Sequence, residues 1–277
     1  MEIKASDVKA LREKTGAGMM ECKKALAEAN GDAAQAEKIL KEKGLAAVAK
    51  RAERATSEGR IFVRQNGNKI AIAEVTCETD FVAKNTDFIA MGEKILDAIF
   101  AKGYTKVEKE LEDMVLELAT KIRENMSLRR VEVIEVPANA AASTYVHSNF
   151  KTAAAVVIEG SDNDVAKEFA HDCCLHLAAF TPAYINKADI PQSYIDEQKE
   201  IFEAQMAQDE KMASKPENVK AGILQGKINK HLAEICFVDQ MFVKDDKVSV
   251  AKKLEEVSKT AGAKLSFGKV ALFVLGK

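Results

Sequence analysis

The chain has 277 residues, and 41 Lys and Arg against 43 Asp and Glu give a net charge of −2. At roughly 150 residues per domain, this length suggests about two domains with small additions. A content of 47% hydrophobic and 30% charged residues is typical of a globular protein and excludes a disordered one. Nucleic-acid binders usually carry a basic excess, so the charge argues against that class. The absence of Trp and an aromatic content of 6% argue against base stacking as the main activity.

The sequence also bears on cellular location. Its start lacks the basic and then apolar pattern of a signal peptide. The longest apolar runs, such as residues 153–158, are too short to span a bilayer. The five cysteines are an odd number and do not form the pattern of a disulfide framework. We therefore expect a cytoplasmic protein with reduced thiols and no membrane partner.

Residues 1–54 are predicted to form a small helical module. Residues 15–18 and 30–31 contain the glycines that separate its first three helices. Asp32 is a candidate N-cap of the third helix, which is predicted to end near Gly44. An Ala-rich fourth helix, residues 45–55, is expected to connect the module to the next domain.

The period of the apolar residues then changes from 3.6 to 2. Residues 60–64 and 69–77 are predicted to form a β-hairpin, because Asn66 and Gly67 suit a turn that needs positive φ. A loop at residues 78–85 precedes two helices, and a third strand follows at residues 128–136.

The same order of elements then returns. A second hairpin, residues 144–149 and 153–159, precedes a helix at residues 163–179. At an offset of 83 residues, the segment 80–84 (DFVAK) lies over the segment 163–167 (NDVAK). Two related α+β subdomains that arose by duplication are therefore predicted.

Two charged helices separated at Pro216 follow, with narrow apolar stripes typical of an antiparallel helical hairpin. A helix capped by Ser249 and a last strand at residues 263–275 complete the chain. The predicted fold class is α+β. Its domains are listed by range: a helical module (1–54), core subdomain N (55–140), core subdomain C with the C-terminal segment (141–190 and 235–277) and an inserted hairpin (191–234).

The motifs of common enzyme classes are missing: there is no GxxxxGKS/T phosphate loop, no GxGxxG after a strand and no HExxH. The best catalytic candidate is the group Cys173, Cys174 and His176, which suggests a thiolate nucleophile or a metal site. On a helix, however, His171 and His176 lie about 140° apart, so four ligands cannot converge. Buried thiols and half-buried histidines are the alternative, and neither a metal nor a cofactor is expected.

The segment 79–82 (TDFV) places an acidic residue beside a large aromatic one in a predicted loop. In one interpretation Asp80 caps the next helix and Phe81 joins the core. In the other, the loop is a rigid protrusion in which Phe81 wedges into a partner and Asp80 disturbs the electrostatics of that partner. Met19 and Met20 are likewise either core residues or a soft contact surface.

Two segments resemble the signatures of the bacterial translation elongation factor Ts family. Residues 11–26 (LREKTGAGMMECKKAL) are similar to its opening signature, and residues 77–82 (CETDFV) are similar to its second. The duplicated core, the helical hairpin and residues 240–245 (QMFVKD) extend this resemblance over essentially the whole chain.

The resemblance implies a guanine-nucleotide exchange factor that binds GDP-bound and nucleotide-free elongation factor Tu, without covalent chemistry. It implies that residues 1–54 resemble a ubiquitin-associated module, in which Leu11, Met19 and Met20 pack on the nucleotide-binding domain of the partner. The helical hairpin would serve self-association or accessory contacts.

The resemblance also implies roles for two exposed segments. Thr79, Asp80, Phe81 and Val82 would carry exchange. Asp80 and Phe81 would push between helices near the Mg²⁺ site of the partner. His147, at the tip of the second hairpin, would contact another domain.

Two other functions stay open from the residues alone. One is an enzyme that uses Cys173 or Cys174 with His176. The other is an RNA-associated translation protein that uses Lys50, Arg51 and Arg54 on phosphates, although direct nucleic-acid binding is not expected.

Overall fold

The structure is a computed structural model that describes residues 3–209, 212 and 215–277. The chain divides into two compact units. Unit 1 comprises the chain up to Glu135 together with Val146–Thr152 and Phe273–Lys277, and unit 2 comprises Val136–Tyr145 and Ala153–Leu272. Helices and small antiparallel sheets make up both units, which confirms the predicted α+β class.

Three helices form the N-terminal module: α1 (Ala5–Thr15), α2 (Met19–Glu28) and α3 (Ala33–Ala49). They enclose a small core of their own, to which Val8, Leu11 and Leu26 belong. Asp32 caps α3 as predicted, since its carboxylate accepts a hydrogen bond from the Gln35 amide at 2.9 Å.

The predicted end of the third helix at Gly44 and the separate fourth helix at residues 45–55 are both wrong, because α3 continues to Ala49 and the next element begins at Glu58. This glycine permits close packing instead of ending a helix. A Cβ atom at Gly44 would lie 2.3 Å from the Thr120 methyl carbon. A larger residue would hold α3 away from the helix that carries Thr120.

The first three-stranded sheet has the order β1-β2-β3 and is antiparallel throughout. Asn66 pairs with Lys69 across a two-residue turn, and Gly67 in this turn has a φ of 58°. The predicted hairpin is therefore confirmed, but Gly67 and Asn68 are the central residues of its turn, and Asn66 is the last residue of the first strand. In chain order the elements are β1 (Glu58–Asn66), β2 (Lys69–Cys77), α4 (Asp80–Ala83), α5 (Thr86–Lys102), α6 (Lys109–Ile122) and β3 (Met126–Glu135).

The second three-stranded sheet has the order β4-β5-β8, and a two-stranded ribbon joins β6 to β7. Ser249 caps α10 as predicted, since its hydroxyl accepts from the Lys252 amide at 3.3 Å. The elements are β4 (Ala140–Val146), β5 (Thr152–Glu159), α7 (Asp164–Phe180), a 3-10 turn (Lys187–Asp189), α8 (Gln192–Ala207), α9 (Glu217–Ile235), β6 (Met241–Phe242), β7 (Asp245–Ser249), α10 (Val250–Ala261) and β8 (Ser266–Val274).

Both sheets share one topology, as the predicted duplication requires. In each, the second strand of a hairpin pairs with a third strand that comes after the helices. The copies differ after the hairpin: Asn163 caps α7 directly, whereas the first copy inserts α4 before α5. The predicted loop at residues 78–85 therefore contains a one-turn helix.

Helices α8 and α9 pack against each other as the predicted antiparallel hairpin. Tyr194, near the start of α8, forms a hydrogen bond of 2.9 Å with His231, near the end of α9. Ile228 and Leu232 are buried between the helices, so the apolar stripes are largely used inside the hairpin. None of the helices in the described ranges has the length and apolar character needed to cross a lipid bilayer.

Gly92 of α5 offers a test of the packing in unit 1. A Cβ atom at this position would lie 2.1 Å from the buried Phe62 ring. We expect Gly92→Ala to lower the free energy of unfolding by about 1–3 kcal/mol through overpacking, although Ala favours a helix over Gly by about 1 kcal/mol. Gly226→Ala in α9 is the matched control, because no atom lies within 4 Å of its added Cβ. This control should gain up to about 1 kcal/mol in urea denaturation. A gain for both variants would contradict the packing.

Candidate functional site

The turn at residues 79–82 exposes one large apolar side chain. The Thr79 hydroxyl caps α4 by accepting a hydrogen bond from the Val82 amide at 3.3 Å. Val82 is buried in the core beneath the turn, whereas Phe81 is 82% exposed. The interpretation that placed Phe81 in the core and Asp80 at the cap is therefore wrong. Thr79 takes the cap, and the next two side chains are left outside the core.

Asp80 places a negative charge beside Phe81. Lys84 Nζ lies 2.6 Å from Asp80 Oδ2. The hydrogen bond from Lys84 lowers the pKa of Asp80, so this carboxylate is charged at neutral pH. The turn thus presents an aromatic ring and a carboxylate as neighbours at the surface. Val82, in contrast, is held inside and is not available to a partner.

Met19 and Met20 open α2 and are 44% and 65% exposed. The loop before them is fixed, since Gly16 ends α1 in the left-handed region and Glu21 accepts a hydrogen bond from the Gly18 amide at 3.1 Å. The interpretation of the two methionines as core residues is therefore wrong. Leu11, by contrast, is 4% exposed and packs inside the module, so its predicted contact with a partner has little exposed surface behind it.

His147 lies at the exposed tip of the β4–β5 hairpin, as predicted. Its amide donates to the Thr152 carbonyl at 2.9 Å, and its carbonyl accepts from the Phe150 amide at 2.8 Å. The tip is also fixed to β1: the Ile61 amide donates to the Phe150 carbonyl at 2.9 Å, and the Arg60 guanidinium lies 3.6 Å from the centre of the Phe150 ring. Unit 1 therefore contains every exposed residue of the predicted site.

The alternative catalytic site does not have the required chemistry. Cys173 and Cys174 are fully buried, and burial raises the pKa of Cys174 to about 12. Reactive cysteines instead have a lowered pKa and partial exposure. His176 Nδ1 accepts from the Val243 amide at 3.2 Å, so Nε2 is protonated and donates to Gln240 Oε1 at 3.0 Å. Both imidazole nitrogens are thus engaged in structural hydrogen bonds.

Two further observations bear on the alternatives. Within the described ranges, no three His, Cys, Asp or Glu side chains are grouped so that they could hold a metal ion. Of the basic residues considered for RNA binding, Arg54 forms an ion pair of 3.4 Å with Glu78. This pairing reduces the positive potential that phosphates would meet.

The sequence interpretation missed Glu124, which contacts the 79–82 turn. Its carboxylate accepts hydrogen bonds from the Glu78 and Thr79 amides and from the Thr79 hydroxyl. Glu124 lies 45 residues away from Thr79 in the chain. In the sequence, Glu124 stands out only as part of a polar segment, residues 123–125, between an amphipathic helix and a strand.

Comparisons with known proteins point to one family. The family model described as Elongation factor TS matches residues 78–277. A protein from Treponema denticola named Elongation factor Ts is 55% identical over 281 residues, covering 100% of this chain and 99% of the relative. Proteins of the same name from Treponema pallidum and Clostridium perfringens are 48% and 38% identical, covering 100% and 99% of this chain and 99% and 93% of the relatives.

His176 generates a prediction on acid stability. Burial lowers the pKa of His176, so the folded chain binds this proton less readily than the unfolded chain. The neutral His176 side chain makes its full contribution to stability at a pH above its pKa in the unfolded chain, which is near 6.5. This contribution declines as the pH falls below this value and stays constant below the folded-state pKa. Urea denaturation between pH 7 and 5 should show this loss, and His176→Gln should reduce it. His171→Gln, on the exposed side of α7, is the control and should retain the loss. An identical pH profile for His176→Gln and the natural chain would contradict the assignment.

Proposed function

The chain belongs to the elongation factor Ts family, and we propose that it releases GDP by inserting the 79–82 turn beside the nucleotide and Mg²⁺ of elongation factor Tu. It is a guanine-nucleotide exchange factor of protein synthesis and catalyses no covalent chemistry. The observation that carries the proposed mechanism is the 82% exposure of Phe81 on a turn whose other apolar residue, Val82, is buried.

The two exposed residues of the turn have separate roles in this proposal. Mg²⁺ bridges nucleotide phosphates and supplies much of the positive charge that holds them. The Asp80 carboxylate, brought close to this site, repels the phosphates and competes with them for the ion. Phe81 inserts between helices of the partner, and its burial there contributes about 1.5–3 kcal/mol.

Coupled binding explains how such contacts release a nucleotide. A factor that binds nucleotide-free elongation factor Tu more tightly than the GDP-bound form must weaken GDP binding by the same ratio. We propose that Phe81 is fully buried only in the nucleotide-free complex. The binding energy of Phe81 is then the source of this difference, and no general base is needed.

Met19, Met20 and His147 extend the proposed interface. The methionines provide a flexible apolar surface that adapts to the nucleotide-binding domain of the partner. His147 contacts a second domain of the partner from its fixed hairpin tip. Leu11 and Val82 support this interface from inside.

The remaining proposals concern the domain boundaries, the role of the helical hairpin and the cellular location. We propose that residues 1–54 and 191–234 are separate domains and that the hairpin serves self-association or accessory contacts. The apolar side chains Ile201 and Val219 remain exposed on the hairpin although its stripes are packed internally. Because the partner acts in translation, we place the protein in the cytoplasm.

Phe81→Ala should slow the release of labelled GDP from elongation factor Tu by about 10- to 100-fold at limiting factor. Its free energy of unfolding should change by less than about 0.5 kcal/mol, because the ring is exposed. Phe180→Ala, at a half-exposed phenylalanine of unit 2, is the matched control and should exchange normally. Stopped-flow release and thermal melts use the same samples. A Phe81→Ala protein with a much lower melting temperature but normal GDP release in the folded state would contradict the mechanism.

Asp80→Asn tests the charge at nearly constant shape. We expect a partial loss of exchange, smaller than that of Phe81→Ala, because only the repulsion of phosphate is removed. Asp164→Asn is its matched control, since this exposed carboxylate also lies in the first turn of a helix and pairs with a lysine. Equal exchange by Asp80→Asn and the natural chain would remove the electrostatic part of the mechanism.

Replacing residues 191–234 by a short Gly/Ser linker should reduce the number of chains per particle, measured by light scattering, while GDP release stays close to normal. Ile201→Asp and Val219→Asp should also reduce the number of chains per particle while the internal stripes remain intact. A collapse of release at an unchanged number of chains per particle would show that the hairpin belongs to the exchange surface.

A further inference from the structure

A four-residue helix has little stability of its own, because nucleation of a helical turn is unfavourable. The helix α4 must therefore be held by its surroundings. Val82 and Ala83 anchor one side of it in the core. The other side carries Asp80 and Phe81 and lies at the surface, so polar contacts at the start of the turn must fix its direction.

Glu124 provides these contacts. Its Oε2 atom accepts hydrogen bonds from the Glu78 and Thr79 amides, each at 3.1 Å. Its Oε1 atom accepts from the Thr79 hydroxyl at 2.6 Å. Hydrogen bonds to a charged acceptor are shorter and stronger than those between neutral groups. One carboxylate thus binds three donors on the two residues directly before α4.

The bond to the Thr79 hydroxyl also orients the cap of α4. A hydroxyl group has one hydrogen to donate and lone pairs with which to accept. Because the carboxylate of Glu124 takes the hydrogen, the lone pairs of Thr79 Oγ1 are left to accept from the Val82 amide. The cap that sets the direction of Phe81 therefore depends on Glu124.

The two neighbours of Glu124 bind two other segments of unit 1. Arg123 pairs with Glu21, which is next to Met20 in α2. Asn125 donates through Nδ2 to the Ala52 carbonyl at 3.2 Å and to the Arg54 carbonyl at 2.7 Å. Three consecutive residues thus contact α2, the 79–82 turn and the segment between α3 and β1.

We propose that residues 123–125 act as a clamp that orients the partner-binding surface, and that Glu124 is the positioning residue for Phe81. Arg123 and Glu21 are both half exposed, and exposed ion pairs contribute little. Glu124 therefore carries most of the effect. The proposal rests on the proposed function in one respect, namely that Phe81 takes part in exchange.

The geometry predicts a specific loss without Glu124. In Glu124→Gln one of the two accepting oxygens becomes an NH₂ group, which donates hydrogen bonds. The amides of Glu78 and Thr79 and the Thr79 hydroxyl are themselves donors, so some of their hydrogen bonds to residue 124 are lost. The turn then samples other orientations, and Phe81 must be ordered on binding. Pre-ordering a binding segment raises affinity by removing that cost, so its loss should weaken exchange even though Phe81 is still present.

The main test compares Glu124→Gln with Glu117→Gln, an exposed glutamate on α6, in the full chain. We expect Glu124→Gln to slow GDP release about tenfold at limiting factor. Amide hydrogen exchange at residues 82–84 should become about tenfold faster, because the cap is weakened. Glu117→Gln should change neither quantity. Unchanged hydrogen exchange at residues 82–84 in Glu124→Gln would overturn the proposal.

A double variant distinguishes positioning from a general loss of structure. If Glu124 acts through Phe81, adding Glu124→Gln to Phe81→Ala should cause little further slowing of GDP release. Additive losses would overturn the proposal. If Phe81→Ala alone leaves release unchanged, the proposed insertion of Phe81 into the partner fails, and hydrogen exchange by itself then decides whether Glu124 holds the turn.

Thr79 gives a second route if Glu124→Gln does not fold. Thr79→Ser keeps the hydroxyl and should retain the slow hydrogen exchange of the natural chain at residues 82–84. Thr79→Val keeps the shape but removes the hydroxyl, so it should reproduce the effects expected for Glu124→Gln. Equal hydrogen exchange in the two Thr79 variants would contradict a role for the bond to Glu124.

Discussion

The structure of the site depends on keeping an aromatic ring at the surface in a defined direction. Burial would be the usual way to immobilise Phe81, but a buried ring could not enter a partner. Unit 1 instead immobilises the residues around it. Val82 is packed into the core, and Thr79 is bonded to Glu124 at 2.6 Å. The free energy that orders the turn therefore comes from neighbouring residues, and the apolar surface of Phe81 stays available for binding.

A second constraint is the buried carboxylate of Glu74 in β2. Its side chain is fully buried and pairs with Arg129 at 3.0 Å and Arg130 at 2.5 Å. It also accepts from the Gly276 amide at 2.9 Å, which ties the end of the chain to the first sheet. A buried charge without partners is strongly destabilising, so these contacts must form together. They fix β2 and β3 in register, and residues 123–125 lie directly before β3.

Local patterns were sufficient to predict most of the fold. The pair Asn66-Gly67 predicted the first hairpin, and the 83-residue offset predicted two sheets of one topology. The end of the third helix was wrongly predicted at Gly44, because the sequence does not distinguish a glycine that ends a helix from one that permits close packing. Thr120, which requires the small residue, is far away in the chain. The candidate site shows the same limit: the residues alone singled out 79–82 but left open whether Phe81 joins the core or protrudes, and the exchange role came only from the family resemblance.

The duplication helps to separate scaffold from function. At the 83-residue offset, Ala83 corresponds to Ala166, and both are buried. Phe81 corresponds to Asp164, a fully exposed residue in the first turn of an uninterrupted helix. In the second copy this position thus carries a polar residue that favours a helix start. An exposed phenylalanine on an interrupted helix contributes nothing comparable to the fold. Its presence in the first copy, on a turn bonded to the Glu124 carboxylate, therefore supports the proposed binding of a partner.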